Sequence, residues 1–336
     1  MARRRSDRPA VPTLKMVAAA AGVATSTVSR AYSHPHLLRP ETVEKVRAAA
    51  DELGYVPHYS ARALSTGRLA TIAVVVPDIA NPFFPPLIRA VQSRANEFGI
   101  STLLADTDEE PDKEAALLTA MQQRTDGVIL ASSRLAEGTV RARAALHPLV
   151  LVNRDVDGVS RVLIDCAIGV REAVDHLVDL GHRRLAYLAG PGSSWSNAER
   201  RRALLERATE RRVHAVVLAE RRPEHEEGVA AADDVARSGA TAVVAFDDVL
   251  AQGLMAGLGQ LGVSVPSDVS VIGCDDILAV RTTPPLSTIH GPSTEAGRSA
   301  VDLLRDLIDG GASEKAAVKL PAHFIQRATA GPVAGS

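Results

Sequence analysis

The sequence is poor in cysteine, in aromatic residues and in long apolar runs. Its 336 residues include two cysteines, Cys166 and Cys274, and aromatic residues make up 3% of the chain. Two distant cysteines exclude a disulfide scaffold and a four-cysteine zinc site, and they suit a reducing compartment such as the cytoplasm. No apolar run approaches the roughly 20 residues that a membrane-spanning helix requires. The basic N-terminus is not followed by an apolar run, so we expect no secretory signal.

The remaining composition is typical of a globular protein with more than one domain. Hydrophobic residues make up 46% of the chain and charged residues 23%, whereas a disordered chain would contain fewer apolar residues. A length of 336 residues exceeds one typical domain, so we expect two or three folding units.

Charge is distributed unevenly, although the formal net charge is only −2. Residues 1–70 contain 11 Lys and Arg against 5 Asp and Glu, a formal charge of +6. The rest of the chain contains 27 basic residues against 35 acidic residues, a formal charge of −8. A basic segment joined to an acidic body favours a polyanion-binding module. Charge alone leaves a solvated basic tail open as the alternative.

Three short helices are predicted between residues 13 and 57. Thr13 can cap the first helix, Gly22 ends it, and Pro40 and Gly54 bound the third. A glycine turn between two short helices is typical of a helix-turn-helix motif, whose second helix enters the major groove of DNA. The candidate DNA-contacting residues of this segment are Thr13, Thr25, Ser26, Thr27, Ser29 and Arg30.

Within the second helix, we expect Thr25, Ser26 and Arg30 to meet base edges. Thr27 and Ser29 are available to phosphates. For Arg30, two other roles are open besides base contact: pairing with a phosphate, and capping of the last carbonyl groups of the helix. The segment 58–66 has helical propensity but is too short to be a stable helix alone in water, which favours a linker that folds only against a partner.

From Thr71 onward, strand-like runs alternate with helical segments. The runs are rich in Val, Ile, Leu and Ala without polar alternation, which is typical of parallel strands buried on both faces. Eight or more such units exceed one ordinary open sheet, so we predict two sheets in two lobes. The predicted strands are Ile72–Val76, Thr102–Ala105, Val128–Ala131, Leu149–Val152, Leu185–Ala189, Ala215–Leu218, Ala242–Phe246 and Val269–Ile272.

Several motifs follow one another in order along nearly the whole chain. They are Thr13–Ala18, Ala21–Arg30, Glu52–Pro57, Val76–Phe84, Asp126–Ile129, Leu180–Arg184, Ala189–Pro191, Val265–Gly273 and Pro284–Ile289. Together these motifs resemble the lactose-repressor (LacI/GalR) family of ligand-responsive transcription regulators. The resemblance implies a small all-α helix-turn-helix headpiece and an α/β body like the periplasmic binding proteins, with two doubly wound parallel-sheet lobes.

The resemblance also implies a function and a domain organisation. It implies a repressor that binds a palindromic double-stranded DNA operator as a homodimer, that responds to a sugar or related metabolite between the lobes, and that needs no cofactor. The expected boundaries are a disordered basic tail over 1–12, the headpiece over 13–57, a hinge helix over 58–68 and the body over 69–331. The N-lobe is expected over about 69–165 and 291–320, and the C-lobe over about 166–290 and 321–331.

The hinge contributes further candidate DNA contacts, which are His58, Tyr59, Arg62 and Leu64. Leu64 matches a leucine that in the family wedges into the minor groove, where an apolar side chain unstacks one base step and kinks the duplex. An ordinary buried contact is the alternative for Leu64. The chain departs from the family pattern at Met16, Ala24, His58, Cys166 and Cys274, and the segment 207–225 is shortened.

The effector cleft is expected at the carboxyl ends of the strands of both lobes. Phe83 and Phe84 follow the first body strand and can form a stacking wall, although we expect one of them to be core. Asp247 and Asp275 follow strands and can accept hydrogen bonds from hydroxyl groups. The remaining candidates are Arg200, which matches a family arginine, Trp195 in a Gly/Ser loop, and the weaker Asn153.

Each carboxylate has helix capping as its alternative, because aspartate is favoured at helix N-termini. Asp78 and Asp165 are weaker candidates for contacts between the lobes, and Asp248 and Asp276 are expected to be caps or to support other residues.

Three rival functions differ from the one that the resemblance implies. An enzyme is disfavoured because Trp195 occupies the third glycine position of a possible dinucleotide motif, and because no phosphate loop, nucleophile elbow or zinc spacing is present. A transport binding protein is disfavoured because such a protein would have no use for a DNA-binding motif. A regulator that responds to a protein partner remains open. No heptad tail follows Phe324, so a tetramer built on a C-terminal coiled coil is not expected.

Overall fold

The computed structural model describes residues 12–33, 35–55, 68–311 and 316–333. The chain forms two compact units, residues 1–71 and 72–336. Within its described residues, the first unit contains three α-helices and a short 3-10 helix over Pro35–Leu37. The α-helices are α1 (Leu14–Ala21), α2 (Thr25–Ser33) and α3 (Pro40–Leu53).

Local sequence accounts for the ends of these headpiece helices. The Thr13 hydroxyl accepts a hydrogen bond from the Met16 amide at 3.4 Å and caps α1. Gly22 and Gly54 end α1 and α3 with φ angles of 60° and 63°, a left-handed conformation that glycine adopts without steric cost. The apolar faces of the three helices form a core that includes Val17, Val28 and Val46.

The second unit contains two six-stranded sheets, one in each lobe. The N-lobe sheet has the order β2-β1-β3-β4-β5-β11. Its strands are β1 (Thr71–Val76), β2 (Ser101–Asp106), β3 (Gly127–Ala131), β4 (Leu149–Val152), β5 (Ser160–Asp165) and β11 (Ala317–Pro321). Its helices are α4 (Phe84–Glu97), α5 (Pro111–Met121), α6 (Glu137–Leu146) and α12 (Ser293–Ile308).

The C-lobe sheet has the order β7-β6-β8-β9-β10-β12. Its strands are β6 (Arg184–Leu188), β7 (His214–Val217), β8 (Ala242–Ala245), β9 (Ser270–Asp275), β10 (Ser287–His290) and β12 (His323–Ile325). Its helices are α7 (Cys166–Asp179), α8 (Trp195–Glu210), α9 (His225–Ala230), α10 (Ala232–Ser238) and α11 (Asp248–Gln260), with a 3-10 helix over Ala279–Arg281. The strand β12 pairs antiparallel with β10, whereas β10 pairs parallel with β9.

The chain passes between the lobes three times, from β5 into α7, from β10 into α12, and from β11 into β12. One apolar cluster crosses this junction, since it contains Phe84 and Ile164 of the N-lobe together with Tyr187 and Leu204 of the C-lobe. The two lobes therefore share part of their core.

The predicted fold class is confirmed, and the eight predicted strands are all present. Four further strands were not predicted, which are β5, β10, β11 and β12. The strand β11 has the pattern Ala-Val-Lys-Leu-Pro with mixed burial, and β12 has three residues, so neither gives an apolar run. No helix among the described residues combines the length and apolarity needed to cross a bilayer.

Candidate functional site

Helix α2 presents some of its polar side chains to solvent. Thr25, Ser26 and Arg30 are exposed, Thr27 and Ser29 are half-buried, and Val28 is fully buried in the headpiece core. The helix therefore keeps an exposed polar face that can meet a groove of DNA. The side chain of Thr13 caps α1 at the same time as it remains exposed. His58, Tyr59, Arg62 and Leu64 lie outside the described residues.

The start of α2 shows the effect of one departure from the family pattern. Ala24 precedes the helix, and its carbonyl accepts the amide of Thr27 at 2.9 Å. A side-chain hydroxyl at this position could also cap the helix, with a typical effect of about 1 kcal/mol on stability, and alanine lacks that group.

The body contains a cavity between its lobes, called the cleft cavity here, with about 380 Å³ of empty space. It is lined by Asn81, Phe83, Phe84, Glu109, Ser132, Arg134, Asn153, Ser194, Ser196, Arg200, Pro223, Phe246, Asp247 and Asp275. Most of these residues follow or end a parallel strand, where open α/β sheets bind their ligands. Six of the seven predicted ligand residues lie together here; Trp195 does not.

Arg200 is the most highly connected side chain of the cleft cavity. It lies on α8 and is 4% exposed. Its Nη1 donates to the carbonyl of Phe246, and its Nη2 donates to Oδ1 of Asp275 at 3.2 Å. Nη2 also lies 3.6 Å from Sγ of Cys166, and the guanidinium stands 4.9 Å from the centre of the Phe246 ring. Nε of Arg200 is buried and has no hydrogen-bond partner among the described residues.

Two carboxyl groups of the cleft cavity are strongly desolvated. Burial raises the pKa of Asp275 well above its usual range, and the charge of Arg200 offsets this only in part. Burial also raises the pKa of Asp247, which the backbone hydrogen bond from Leu250 opposes. Asp247 is both the N-cap of α11 and a residue of the cleft cavity. Helix capping, which the sequence left open as an alternative to ligand binding, is therefore compatible with a position in the cavity.

The N-lobe contributes an ion pair that the sequence reasoning missed. Arg134 is 9% exposed, and its Nε and Nη2 donate to the two carboxylate oxygens of Glu109 at 2.5 and 2.8 Å. Its Nη1 donates to the carbonyl of Ser132 at 2.8 Å. Arg134 follows β3 in a Ser-Ser-Arg sequence. Polar residues directly after a buried strand are the sequence pattern that could have identified Arg134 as a cavity residue.

Both phenylalanines are core residues and also line the cleft cavity. Phe83 and Phe84 are 7% and 5% exposed, and their rings pack edge to face with centroids 5.1 Å apart. The expectation that one of them would be core was therefore too restrictive. Phe84 begins α4, and the side chain of Asn81 accepts the amide of Phe83 at 2.9 Å, which fixes this turn.

Three residues of the cleft cavity have a backbone conformation that is rare for residues other than glycine. The φ angles of Ser132, Asn153 and Asp275 are 48°, 52° and 107°. Such strain is typical of functional sites, where the surrounding structure imposes it. Asn153 is fixed further because its Oδ1 accepts the amide of Ile164 at 3.0 Å.

Trp195 occupies a different position from the one predicted. It is the first residue of α8 rather than part of a loop, and it is half-buried. It lines a second cavity, called the flank cavity here, with about 630 Å³ of empty space. The flank cavity is lined by Asp155, Leu163, Ile164, Asp165, Cys166, Ala167, Trp195, Ser196, Glu199, Arg202 and Lys319. Ser196 lines both cavities, so one turn of α8 separates them.

The other aspartates have local roles. Asp165 accepts the amide of Ala167 at 3.2 Å and caps α7, and Asp78 accepts the amide of Ala80 at 2.8 Å. Asp248 accepts the Thr288 hydroxyl at 2.6 Å, and Asp276 pairs with Arg327 at 2.6 Å. None of these four lines the cleft cavity.

Two family models match the chain. The model of bacterial regulatory proteins of the lacI family matches residues 13–58, and the model of the periplasmic binding protein-like domain matches residues 174–330. The HTH-type transcriptional regulator DegA of Bacillus subtilis (strain 168) is 31% identical over 332 residues, which covers 96% of this chain and 98% of DegA.

Solved structures give the same result. A lac repressor dimer bound to operator and the anti-inducer ONPF superposes with a TM-score of 0.85 at 28% identity, covering 95% of this chain and 99% of that one. A LacI family transcriptional regulator from Enterococcus faecium with bound ribose superposes with a TM-score of 0.71 at 28% identity, covering 78% and 99%. Together with the helix-turn-helix unit and the two-lobed body, these matches show that the chain belongs to the lacI family of bacterial transcription regulators.

Proposed function

We propose that this regulator is a repressor whose cleft cavity binds a small, neutral, polyhydroxylated effector such as a sugar or a related metabolite. The observation that carries the proposal is the mixture of charges around the cleft cavity. Two guanidinium groups, of Arg134 and Arg200, alternate there with the carboxyl groups of Glu109, Asp247 and Asp275.

A hydroxyl group both donates and accepts hydrogen bonds, so a polyol can satisfy carboxylates and guanidinium groups at the same time. A phosphate offers mainly acceptor oxygens, whereas the cleft cavity holds three carboxyl groups beside its two guanidinium groups. The rings of Phe83 and Phe84 supply an apolar wall for the face of a sugar ring.

The structural relatives support the same class of ligand. The lac repressor structure contains ONPF, and the Enterococcus faecium regulator contains ribose. We propose that Phe83, Phe84, Asn153, Arg200, Asp247 and Asp275 contact the effector, and we add Arg134 to this set. Trp195 remains a candidate only for a ligand that extends into the flank cavity.

For DNA, we propose that a homodimer reads a palindromic operator with α2, and that the protein therefore acts in the cytoplasm. Thr25, Ser26 and Arg30 would meet base edges. The hinge helix over 58–68 would place Leu64 in the minor groove. Replacing Leu64 by Ala would then weaken binding to the operator while leaving binding to random DNA nearly unchanged.

The effector proposal is tested by thermal unfolding of the full chain with single compounds, namely neutral monosaccharides, disaccharides, nucleosides and sugar phosphates. A ligand that binds the native state raises the melting temperature by mass action. We expect neutral sugars to raise it and sugar phosphates to have no effect.

Two variants and one control locate the response. Arg134→Ala and Asp275→Ala should remove the shift that an active sugar produces. Arg237→Ala is the control, because Arg237 is exposed on α10, lines neither the cleft cavity nor the flank cavity, and pairs with Asp234. A shift that survives both cavity variants would place the ligand elsewhere. Stabilisation by no compound at all would favour the rival, a regulator controlled by a protein partner.

A further inference from the structure

The two cysteines of the chain lie side by side at the junction of the lobes. Cys166 begins α7, directly after the first passage between lobes, and Cys274 lies on β9 of the C-lobe. Both carry free thiols in the reduced chain. They lie near one guanidinium, since Nη2 of Arg200 contacts Cys166 and also Asp275, the residue that follows Cys274. Residues far apart in the sequence thus form one dithiol.

A buried cation accompanies this dithiol. Nη2 of Arg200 lies 3.6 Å from Sγ of Cys166. A guanidinium at this distance stabilises the thiolate form of a cysteine, which is the nucleophilic form. The neighbouring Cys274 thiol is the main cause that lowers the pKa of Cys166 below its usual range, and the charge of Arg200 adds to it against the opposing effect of burial.

The second thiol has the opposite character. Cys274 is 1% exposed, and burial together with its hydrogen bond to Cys166 raises its pKa well above its usual range. It therefore stays protonated while Cys166 ionises. One thiolate next to one thiol is the arrangement in which the first sulfur reacts and the second resolves the product.

Cys166 borders a cavity on one side. Cys166 is 8% exposed and lines the flank cavity beside Trp195, with about 630 Å³ of empty space around it. A molecule as small as hydrogen peroxide can enter such a space, whereas Cys274 does not line it.

We propose that Cys166 is a modification site for hydroperoxides, and that Cys274 resolves its oxidised form as an intramolecular disulfide. The Cys166 thiolate attacks one peroxide oxygen, the O–O bond breaks, and hydroxide leaves while Cys166 becomes a sulfenic acid. Once Cys166 is uncharged, the Cys274 thiol transfers its proton to the departing oxygen as its sulfur attacks the Cys166 sulfur; the S–S bond forms, the S–O bond breaks, and water leaves. Two thiols are oxidised and one peroxide is reduced.

Arg200 connects this chemistry to the cleft cavity. The same guanidinium nitrogen that faces Cys166 donates to Asp275 at 3.2 Å. Disulfide formation removes the negative charge from Cys166 and leaves Asp275 and the Phe246 carbonyl as the remaining partners of Arg200. The reaction itself does not depend on which effector the cleft cavity binds.

The test uses the full chain, reduced and then treated with stoichiometric hydrogen peroxide, with thiols counted after denaturation. Because the chain contains two cysteines, every thiol lost belongs to this pair. We expect both thiols to disappear, the intact mass to fall by two hydrogen atoms, and a thiol reductant to restore both. The chain should remain monomeric on a denaturing gel without reductant. Unreacted thiols, or a disulfide between chains, would overturn the proposal.

Two variants separate the roles. Cys274→Ser should stop at the sulfenic acid, which gains the mass of one oxygen atom and is trapped by dimedone. Cys166→Ser should lose its remaining thiol at least about tenfold more slowly, since Cys274 is buried and protonated. Equal rates for the two variants would contradict the assignment. Thermal unfolding of both variants checks that each is folded.

The dependence of the oxidation rate on pH distinguishes a stabilised thiolate at Cys166 from a cysteine that is simply exposed to peroxide. The rate at which the native chain loses its thiols to peroxide should rise through the ionisation of Cys166 and level off above it. The other titratable or charged groups around Cys166 are Cys274 together with Asp155, Asp165, Tyr187, Glu199, Arg200, Arg202, Asp275 and Lys319. A rate that keeps rising up to pH 9, as for an ordinary cysteine, would exclude a thiolate stabilised by Arg200.

Discussion

Asn81 and Asp247 form a hydrogen bond across the cleft cavity. Nδ2 of Asn81, in the N-lobe loop after β1, donates to Oδ2 of Asp247 at the start of α11 in the C-lobe, over 3.1 Å. Both side chains are buried, at 7% and 1% exposure. The same carboxyl group uses Oδ1 to accept the amide of Leu250 at 2.8 Å, so one residue caps a helix and links the lobes.

Replacing Asn81 by Ala removes this link and leaves a buried carboxyl oxygen without its partner. We expect the free energy of unfolding to fall by about 1–3 kcal/mol, measured by urea denaturation at constant pH. Asn96→Ala is the matched control, since Asn96 is exposed on α4 and should change stability by less than about 0.5 kcal/mol. Equal stability of the two variants would show that the link contributes nothing.

Stability should depend on pH through Asp248. This carboxyl is 2% exposed, accepts the Thr288 hydroxyl, and has its pKa raised to about 7 mainly by burial. The unfolded value is about 4, so between these pH values the native state binds the proton more tightly. The free energy of unfolding should therefore be greatest at low pH in this window and fall as pH rises, by up to about 1.4 kcal/mol per unit from this group.

The variant Asp248→Asn tests this contribution, because the amide keeps the size of the side chain and cannot ionise. Urea denaturation at a series of pH values from 5 to 8 should show a shallower decline for the variant than for the native chain. Asp233→Asn, an exposed position on α10, should retain the native decline. Parallel curves for Asp248→Asn and the native chain would rule out this ionisation.

Two glycines of α11 should respond in opposite ways to the same substitution. A Cβ at Gly253 would lie 2.0 Å from the carbonyl oxygen of His225, where α9 crosses α11. Gly253→Ala should therefore destabilise the body by about 1–3 kcal/mol or more, since the two helix backbones must separate. Differential scanning calorimetry measures the effect.

Gly259→Ala provides the comparison within the same helix. Apart from its chain neighbours and the backbone of its own helix, no described atom lies within 4 Å of a Cβ at Gly259, so the alanine should stabilise α11 by up to about 1 kcal/mol through its higher helix propensity. A similar melting temperature for both variants would mean that the α9–α11 contact is not close.

Replacing Arg30 by Ala should weaken DNA binding without affecting folding, because Arg30 is exposed on α2. We expect a loss of about 1–3 kcal/mol in binding free energy, measured by fluorescence anisotropy on a duplex selected from a random library with the native chain. Arg202→Ala, in the body, is the control. Loss on the selected duplex alone indicates base contact, equal loss on random duplex indicates phosphate contact, and no loss on either would remove Arg30 from the interface.

Much of the fold could be predicted because parallel strands buried on both faces leave continuous apolar runs. The runs at β1, β3, β4 and β8 are of this kind. Strand β11 could not be found in this way, because an exposed Lys319 interrupts its short pattern at the edge of the sheet. Its pairing with β5 arises from the return of the chain into the N-lobe, which no local signal records.

The candidate site was predictable to a similar extent. Polar residues after strands gave Asn153, Asp247 and Asp275, and the same rule applied to β3 would have given Arg134. Trp195 was placed wrongly because a Gly/Ser sequence predicted a loop, whereas Ser194 caps α8 and the helix begins at once. The contact between Cys166 and Cys274 depends on how the first passage between lobes meets β9, so spacing alone could not reveal it.

The three passages of the chain between the lobes have a consequence for dissection of the body. Neither lobe is a continuous stretch of sequence, since each is completed by a segment that returns from the other. A single truncation therefore cannot yield one lobe intact, and a gene split within the body would separate strands that belong to one sheet. Because three segments of the chain connect the lobes, we expect the lobes to move relative to each other by hinge bending and not as independent domains.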